Sequence, residues 1–198
     1  MPPLVSPVAA SSGGSQDPAS RAVSRVLPVF ILSTLVERGA WPGPHSLLPA
    51  RGLALGWTEV VSADALQPVF AETSQMWDAQ GIDWRARALE NLRERSPQPL
   101  GGAGALFRDS GETWLISLTS ADGLGPSRLL LARELAQIFP RGYRVALPER
   151  NRAFAFAREL DREDLGLVEH LIERSYSKSD QPLSPWIFDP DDLVSAEA

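Results

Sequence analysis

A chain of 198 residues, 43% apolar and 22% charged, has the composition of a soluble globular protein and the length for one core of roughly 100 to 200 residues. Its formal charge of -6 speaks against a nucleic-acid surface, where clustered Lys and Arg must neutralise phosphates. With no cysteine, disulfides, thiolate nucleophiles, iron–sulfur clusters and cysteine zinc sites are excluded, and His45 and His170 alone are too few for a histidine-rich metal centre.

Residues 1–20 consist largely of Pro, Ser, Gly and Ala, with too few large apolar groups to offset the entropy of ordering them, which predicts a flexible tail. From Arg21 to Arg38 the apolar residues Val26, Phe30 and Val36 predict a helix bent or started at Pro28 and stopped at Gly39. The apolar run from Val26 to Val36 falls well short of the roughly 20 residues of a bilayer span, and no basic region of a secretory signal precedes it. A cytoplasmic protein without membrane contact is the expectation. Leu53 to Val61, with Trp57, Val60 and Val61, predicts a strand. Asp64 to Gln80 carries Leu66, Val69, Phe70 and Trp77, mostly at helical spacings, which predicts a helix closing at Gly81. Asp83 is placed to cap the next helix, whose buried stripe is Trp84, Ala88 and Leu92. Residues 96–104, rich in Pro and Gly, read as a linker.

The second half reads as hairpin, helix, hairpin, helix. Residues 105–109 and 113–119 alternate around Asp109, Ser110 and Gly111, the chemistry of a short hairpin loop. Pro126 suits the first turn of a helix whose buried face is Leu131, Leu135 and Ile138. Tyr143, Val145 and Leu147 alternate on one arm of the next hairpin, and Phe154 and Phe156 on the other. Asp161 is a plausible N-cap for a final helix with Leu165, Val168 and Ile172 inside.

Hairpins alternating with amphipathic helices predict an α+β fold: a mixed or antiparallel sheet of two hairpins plus a further strand, covered by helices on one face. The expected organisation is a tail at 1–20, one domain at 21–190 with sub-lobes at 21–95 and 105–190, and an acidic tail at 191–198.

The run Ala88-Leu89-Glu90-Asn91-Leu92, the helix at Ser127-Arg128-Leu129-Leu130-Leu131, the hairpin from Tyr143 to Asn151 and Leu183-Ser184-Pro185 occur in an order that resembles the YtpQ-like family of bacterial proteins of unknown function. The resemblance covers roughly residues 50–190. It implies an intracellular α+β domain and supplies no activity, cofactor or catalytic residue. The Pro/Ser tail and the tryptophans depart from the family pattern.

Glu149, Arg150, Asn151 and Arg152 form a polar knot suited to an anion, since a guanidinium offers a fork to carboxylate or phosphate. The same residues are what a hairpin tip uses, because Asn tolerates positive φ and Pro148 breaks ladder pairing, and this reading is preferred. His170 lies one turn before Glu173 and Arg174, a possible base without an identifiable nucleophile. His45 has no second ligand nearby in the sequence. Gly101, Gly102 and Gly104 lack the strand-before, helix-after setting and the Lys-Ser/Thr pair of a phosphate loop. Asp189, Asp191 and Asp192 lack the glycine turn and distal Glu of a calcium loop. Asn91, polar in an apolar helix, is expected to bind backbone of an adjoining loop. Of the six tryptophans, Trp41 and Trp186 stand in proline-rich segments, where an aromatic can anchor a partner.

These readings favour a non-enzymatic cytoplasmic protein that recognises another protein through an aromatic and acidic surface, with no cofactor, metal or catalytic residue assigned. The rivals are a hydrolase or transferase using scattered carboxylates and arginines, and an immunity-type protein that neutralises a basic partner.

Overall fold

The structure is a computed structural model that describes residues 22–62, 65–119 and 122–194. The predicted tail at 1–20 lies outside the described residues. The α+β class holds, with the strands divided between two antiparallel sheets. In the first sheet, β1 (Val26–Leu32) pairs along β3 (Leu53–Ser62). The other edge of β3 is shared end to end by β2 (His45–Leu47) and β4 (Ala65–Pro68). The second sheet has the order β5 (Ala105–Phe107), β6 (Thr113–Thr119), β8 (Arg152–Ala157), β7 (Tyr143–Glu149) and β9 (Ile187–Phe188). Both predicted hairpins are in it, and its further strand is Ile187–Phe188, not the Leu53 segment.

The helix predicted from Arg21 to Arg38 is overturned. Its apolar run is β1, and only the short α1 (Ser33–Glu37) that follows is helical. In β1 every residue except Leu32 is buried. A surface helix buries one stripe, so a run buried on all sides fits a strand held between layers. Pro28 sits mid-strand, and because β1 has β3 on one side only, it occupies an edge strand, where sheets tolerate proline. The helix predicted over Asp64 to Gln80 is shortened for a related reason. Pro68 disfavours the α conformation at Gln67, residues 65–68 become β4, and α2 covers only Ala71–Ala79.

Helix α3 (Trp84–Glu94) starts where its cap predicts, the Asp83 carboxylate accepting the Ala86 N–H at 3.0 Å. Residues 126–130 make a 3₁₀ turn, and Leu131 separates it from α4 (Ala132–Ile138). Asp161 caps α5 (Arg162–Lys178), accepting the Asp164 N–H at 2.8 Å.

One core joins the two sheets: Leu27, Phe30 and Ile31 of the first share it with Ile116, Val145 and Leu147 of the second, and Leu129 and Leu135 fill between. On β8 the residues alternate as strand geometry requires. Ala153 and Ala155 face this core, while Phe154 and Phe156 face Val168 and Ile172 of α5. Where the acidic tail was read to begin, residues 190–193 form a 3₁₀ turn that is tied to the loop before β3: the Ala50 N–H donates to the Asp192 carbonyl at 2.9 Å and Leu193 is buried, while residues 195–198 lie outside the described residues. Burial, with the Asp191 carboxylate beside it, pushes the Tyr143 hydroxyl up.

Asn91 latches α3 to the start of the first sheet. Its Nδ2 donates to the carbonyls of Val23 and Val26, both at 2.9 Å, in a buried setting. Losing the amide leaves both carbonyls without this donor in an environment that water does not reach freely. Asn91→Ala is expected to destabilise the chain by about 2 kcal/mol, read as a lower urea midpoint at unchanged m-value; a loss under about 0.5 kcal/mol contradicts the latch.

Candidate functional site

The hairpin tip places Arg150 and Asn151 as a two-residue loop, with Glu149 and Arg152 as its closing pair. No non-glycine residue among those described has positive φ. Asn151 therefore does not use its tolerance for that region, and a shift of register between Ala146 and Glu149, across Pro148, absorbs the misfit of twist. Arg152 is engaged in structure: its guanidinium lies 3.6 Å from Glu149 and donates to Thr119 Oγ1 at 3.3 Å and Ser175 Oγ at 3.4 Å. Arg150 is exposed, and its backbone N–H is held by the Gln181 carbonyl at 3.1 Å.

The strand-like segment 181–184 runs beside this tip, Leu183 and Ser184 donating to the carbonyls of Pro148 and Leu147. Trp186 leaves the same edge two residues later and is 57% exposed. The tip and Trp186 therefore share one rim of the second sheet, while Trp41 belongs to the first. Trp41 donates from Nε1 to the Pro44 carbonyl at 3.0 Å, and its ring covers Gly56 so closely that a Cβ there would come within 2.6 Å.

The other sequence candidates stay apart. His170 lies on the exposed side of α5 with Glu173, Arg174 and Ser177. Ser177 is seven residues further on, a rise of about 10 Å that no direct hydrogen bond bridges. Asp189 and Asp192 cap the C-terminal 3₁₀ turn, and Asp189 also pairs with Arg158 at 2.6 Å. Gly101 and Gly104 press on β6, where added Cβ atoms would meet Ile116 at 2.9 Å and the Ser117 carbonyl at 2.4 Å, a packing reason for glycine. Among the described residues no cluster of three or more His, Asp or Glu is placed to hold a metal ion, and no helix is long and apolar enough to cross a membrane.

A cleft of about 480 Å³ opens where α3 meets the first sheet. Pro28, Leu55 and Trp57 come to it from the paired strands β1 and β3. Arg85, Ala86 and Leu89 come from α3, and Leu130, Leu193 and Val194 from the two 3₁₀ turns and the residue after. His45 and Ser46 of β2 complete the lining. The α3 wall is fixed by tryptophans: Trp84 is fully buried, meets Trp57 edge to face at 5.2 Å, leans on Trp77 at 5.8 Å and donates from Nε1 to Asp78 at 2.8 Å. The Arg85 guanidinium lies over the Trp84 ring at 4.2 Å and the Trp57 ring at 5.5 Å. Its contact with Asp78 is long, 3.4 Å, and both side chains are half exposed. His45 Nδ1 lies 3.3 Å from the Gly43 carbonyl.

Two other hollows hold arginines already paired with acids. Beside Trp114, a cavity of about 360 Å³ holds Arg108, Arg141 and Arg158, and each already faces a carboxylate, Asp164 at 2.8 Å, Glu112 at 2.5 Å and Asp189 at 2.6 Å. By the glycine loop, a cavity of about 350 Å³ reaches Arg128, a buried guanidinium held by Asp122 at 2.7 Å and Ser96 at 3.2 Å.

Searches of family models, of curated proteins and of solved structures return no match to this chain.

The two tryptophans singled out in the sequence have opposite surroundings, and this is measurable. Trp41→Ala is expected to cost about 3 kcal/mol through the space left over Gly56, and Trp186→Ala to stay within about 0.5 kcal/mol, both by urea unfolding. The reverse order contradicts the packing described.

Proposed function

We propose that this chain is a cytoplasmic, non-enzymatic binding protein whose site is the cleft between α3 and the first sheet. The observation that carries the reading is the cleft itself: about 480 Å³, walled mainly by Leu, Val, Pro and Trp, with Arg85, His45 and Ser46 as its polar groups. Concave, mostly apolar hollows of this size with a few polar groups are the usual form of small-ligand sites.

Binding is favoured over catalysis because the polar groups do not form a reacting set. A nucleophile and its base must sit within hydrogen-bond reach. Ser46 and His45 are neighbours on a strand, so their side chains leave opposite faces. Nor do the groups with displaced protonation gather there. In Glu134, burial pushes the carboxyl up, but the hydrogen bond from Arg93, a backbone hydrogen bond and the charges of Arg93 and Arg133 together outweigh it and hold the group below its usual range, on α4 and away from the cleft lining.

A second reading, docking of a protein partner, is favoured by the exposed Trp186 beside the hairpin tip. Tryptophan is enriched among residues that dominate binding energy.

Ala86 is exposed on the first turn of α3 and lines the cleft, so Ala86→Trp fills it without cutting the core. The wild-type chain is expected to bind the neutral dye Nile red saturably at one site, and Ala86→Trp to abolish this at unchanged melting temperature. Dye binding that survives Ala86→Trp contradicts the cleft reading, and loss through Trp186→Ala moves the site to the other rim.

A further inference from the structure

Resting on the cleft as the binding site, we infer that its ligand is a small apolar carboxylate, whose tail lies against Leu55, Leu89 and Leu130 and whose carboxylate meets Arg85. The charge pattern carries this. The chain has a formal charge of -6, yet among the described residues the cleft lining contains Arg85 and no Asp or Glu.

Asp78 accepts the Trp84 indole N–H at 2.8 Å on the same oxygen that takes Arg85 at 3.4 Å, while Glu59 pairs with Arg25 at 2.6 Å and Asp192 Oδ2 accepts the Asp189 N–H at 3.0 Å. Arg85 is the opposite case. Its one carboxylate contact is long, at 3.4 Å, and the two indole faces hold its guanidinium by the attraction of a cation for an aromatic ring. A guanidinium steadied by stacking keeps the N–H donors that Asp78 does not take for a carboxylate that arrives with the ligand, at little further entropic cost.

Position also matters. Arg85 and Ala86 stand in the first turn of an eleven-residue helix, the end whose backbone dipoles favour negative charge, although Asp83 already takes the Ala86 N–H. A single guanidinium in a mostly apolar lining, with His45 and Ser46 as the other polar residues, matches a monoanion with an apolar body. A neutral hydrocarbon would leave that guanidinium with only its long contact to Asp78, and an amine would oppose its charge. The walls at Leu130, Leu193 and Val194 bound the cleft, which fits a free small acid better than the tail end of a folded partner.

The test is calorimetric titration of the full chain with octanoate, octanol, octylamine and a short leucine-rich peptide with a free carboxyl terminus. Octanoate is expected to bind about tenfold tighter than octanol, with octylamine weakest. Arg85→Gln should remove that advantage and leave octanol unchanged, Arg85→Lys should restore part of it, and Ala86→Trp should abolish binding of both, with circular dichroism unaltered in each variant. Octanoate and octanol binding equally, or Arg85→Gln leaving octanoate untouched, overturns the carboxylate while the cleft stands. No octyl compound binding overturns the cleft as well, and a peptide that binds tighter than octanoate makes a protein terminus the ligand instead.

Discussion

The edge-to-face contact of Trp84 with Trp57, at 5.2 Å, is the constraint on which the site depends. It ties α3 to the middle of β3, the one strand that every other strand of the first sheet pairs with. Full burial of an indole and its favourable ring contact are together worth several kcal/mol, on the order of 2 to 4. Asn91 holds the other half of the helix by bonds to Val23 and Val26. Two separate attachments, one aromatic and one polar, leave the helix little freedom to roll. Its first turn therefore overhangs the sheet at a fixed distance, and the small side chain of Ala86 leaves that space unfilled.

The same tryptophans give the cleft its chemistry. Trp57 is both wall and, with Trp84, the surface over which Arg85 lies. Elsewhere several arginines are held more closely by acids, as at Arg108, Arg141 and Arg158. The rim of the second sheet is organised differently. Pro182 and Pro185 flank the segment beside the hairpin tip, and a residue without an N–H cannot offer a pairing edge to another chain. The large apolar side chain that this rim exposes is Trp186, beside the exposed Arg150 and Asn151.

The hairpins around Gly111 and Asn151, the caps at Asp83 and Asp161 and the buried stripe of α3 were legible in the sequence, because each depends on residues within one turn or one reversal of the chain. The strand at Val26 to Leu32 was not, since a run buried on all sides loses the periodicity that distinguishes strand from helix. Pro28 was read as bending or starting a helix, whereas its edge position shows only once β3 is known as the one partner of β1 among the described residues. The cleft was the least legible feature. Its lining comes from residues 28, 45, 46, 55, 57, 85, 86, 89, 130, 193 and 194, and nothing in the sequence sets these side by side. The nearest signal was local, an arginine following a tryptophan at the start of a capped helix. The glycine run at 101–104 and the polar knot at 149–152 drew attention as sequence, and both are explained by close packing and chain reversal.

The central claim is that ligand enters beside Trp57 and not at Trp186. Six indole N–H groups give separate signals in a two-dimensional NMR spectrum, assignable by single Trp→Phe replacements, and titration with octanoate reads them all at once. The account predicts that the Trp57 and Trp84 signals move together in proportion to occupancy while Trp186 stays still; movement of Trp186 alone, or of none of the six, would contradict it.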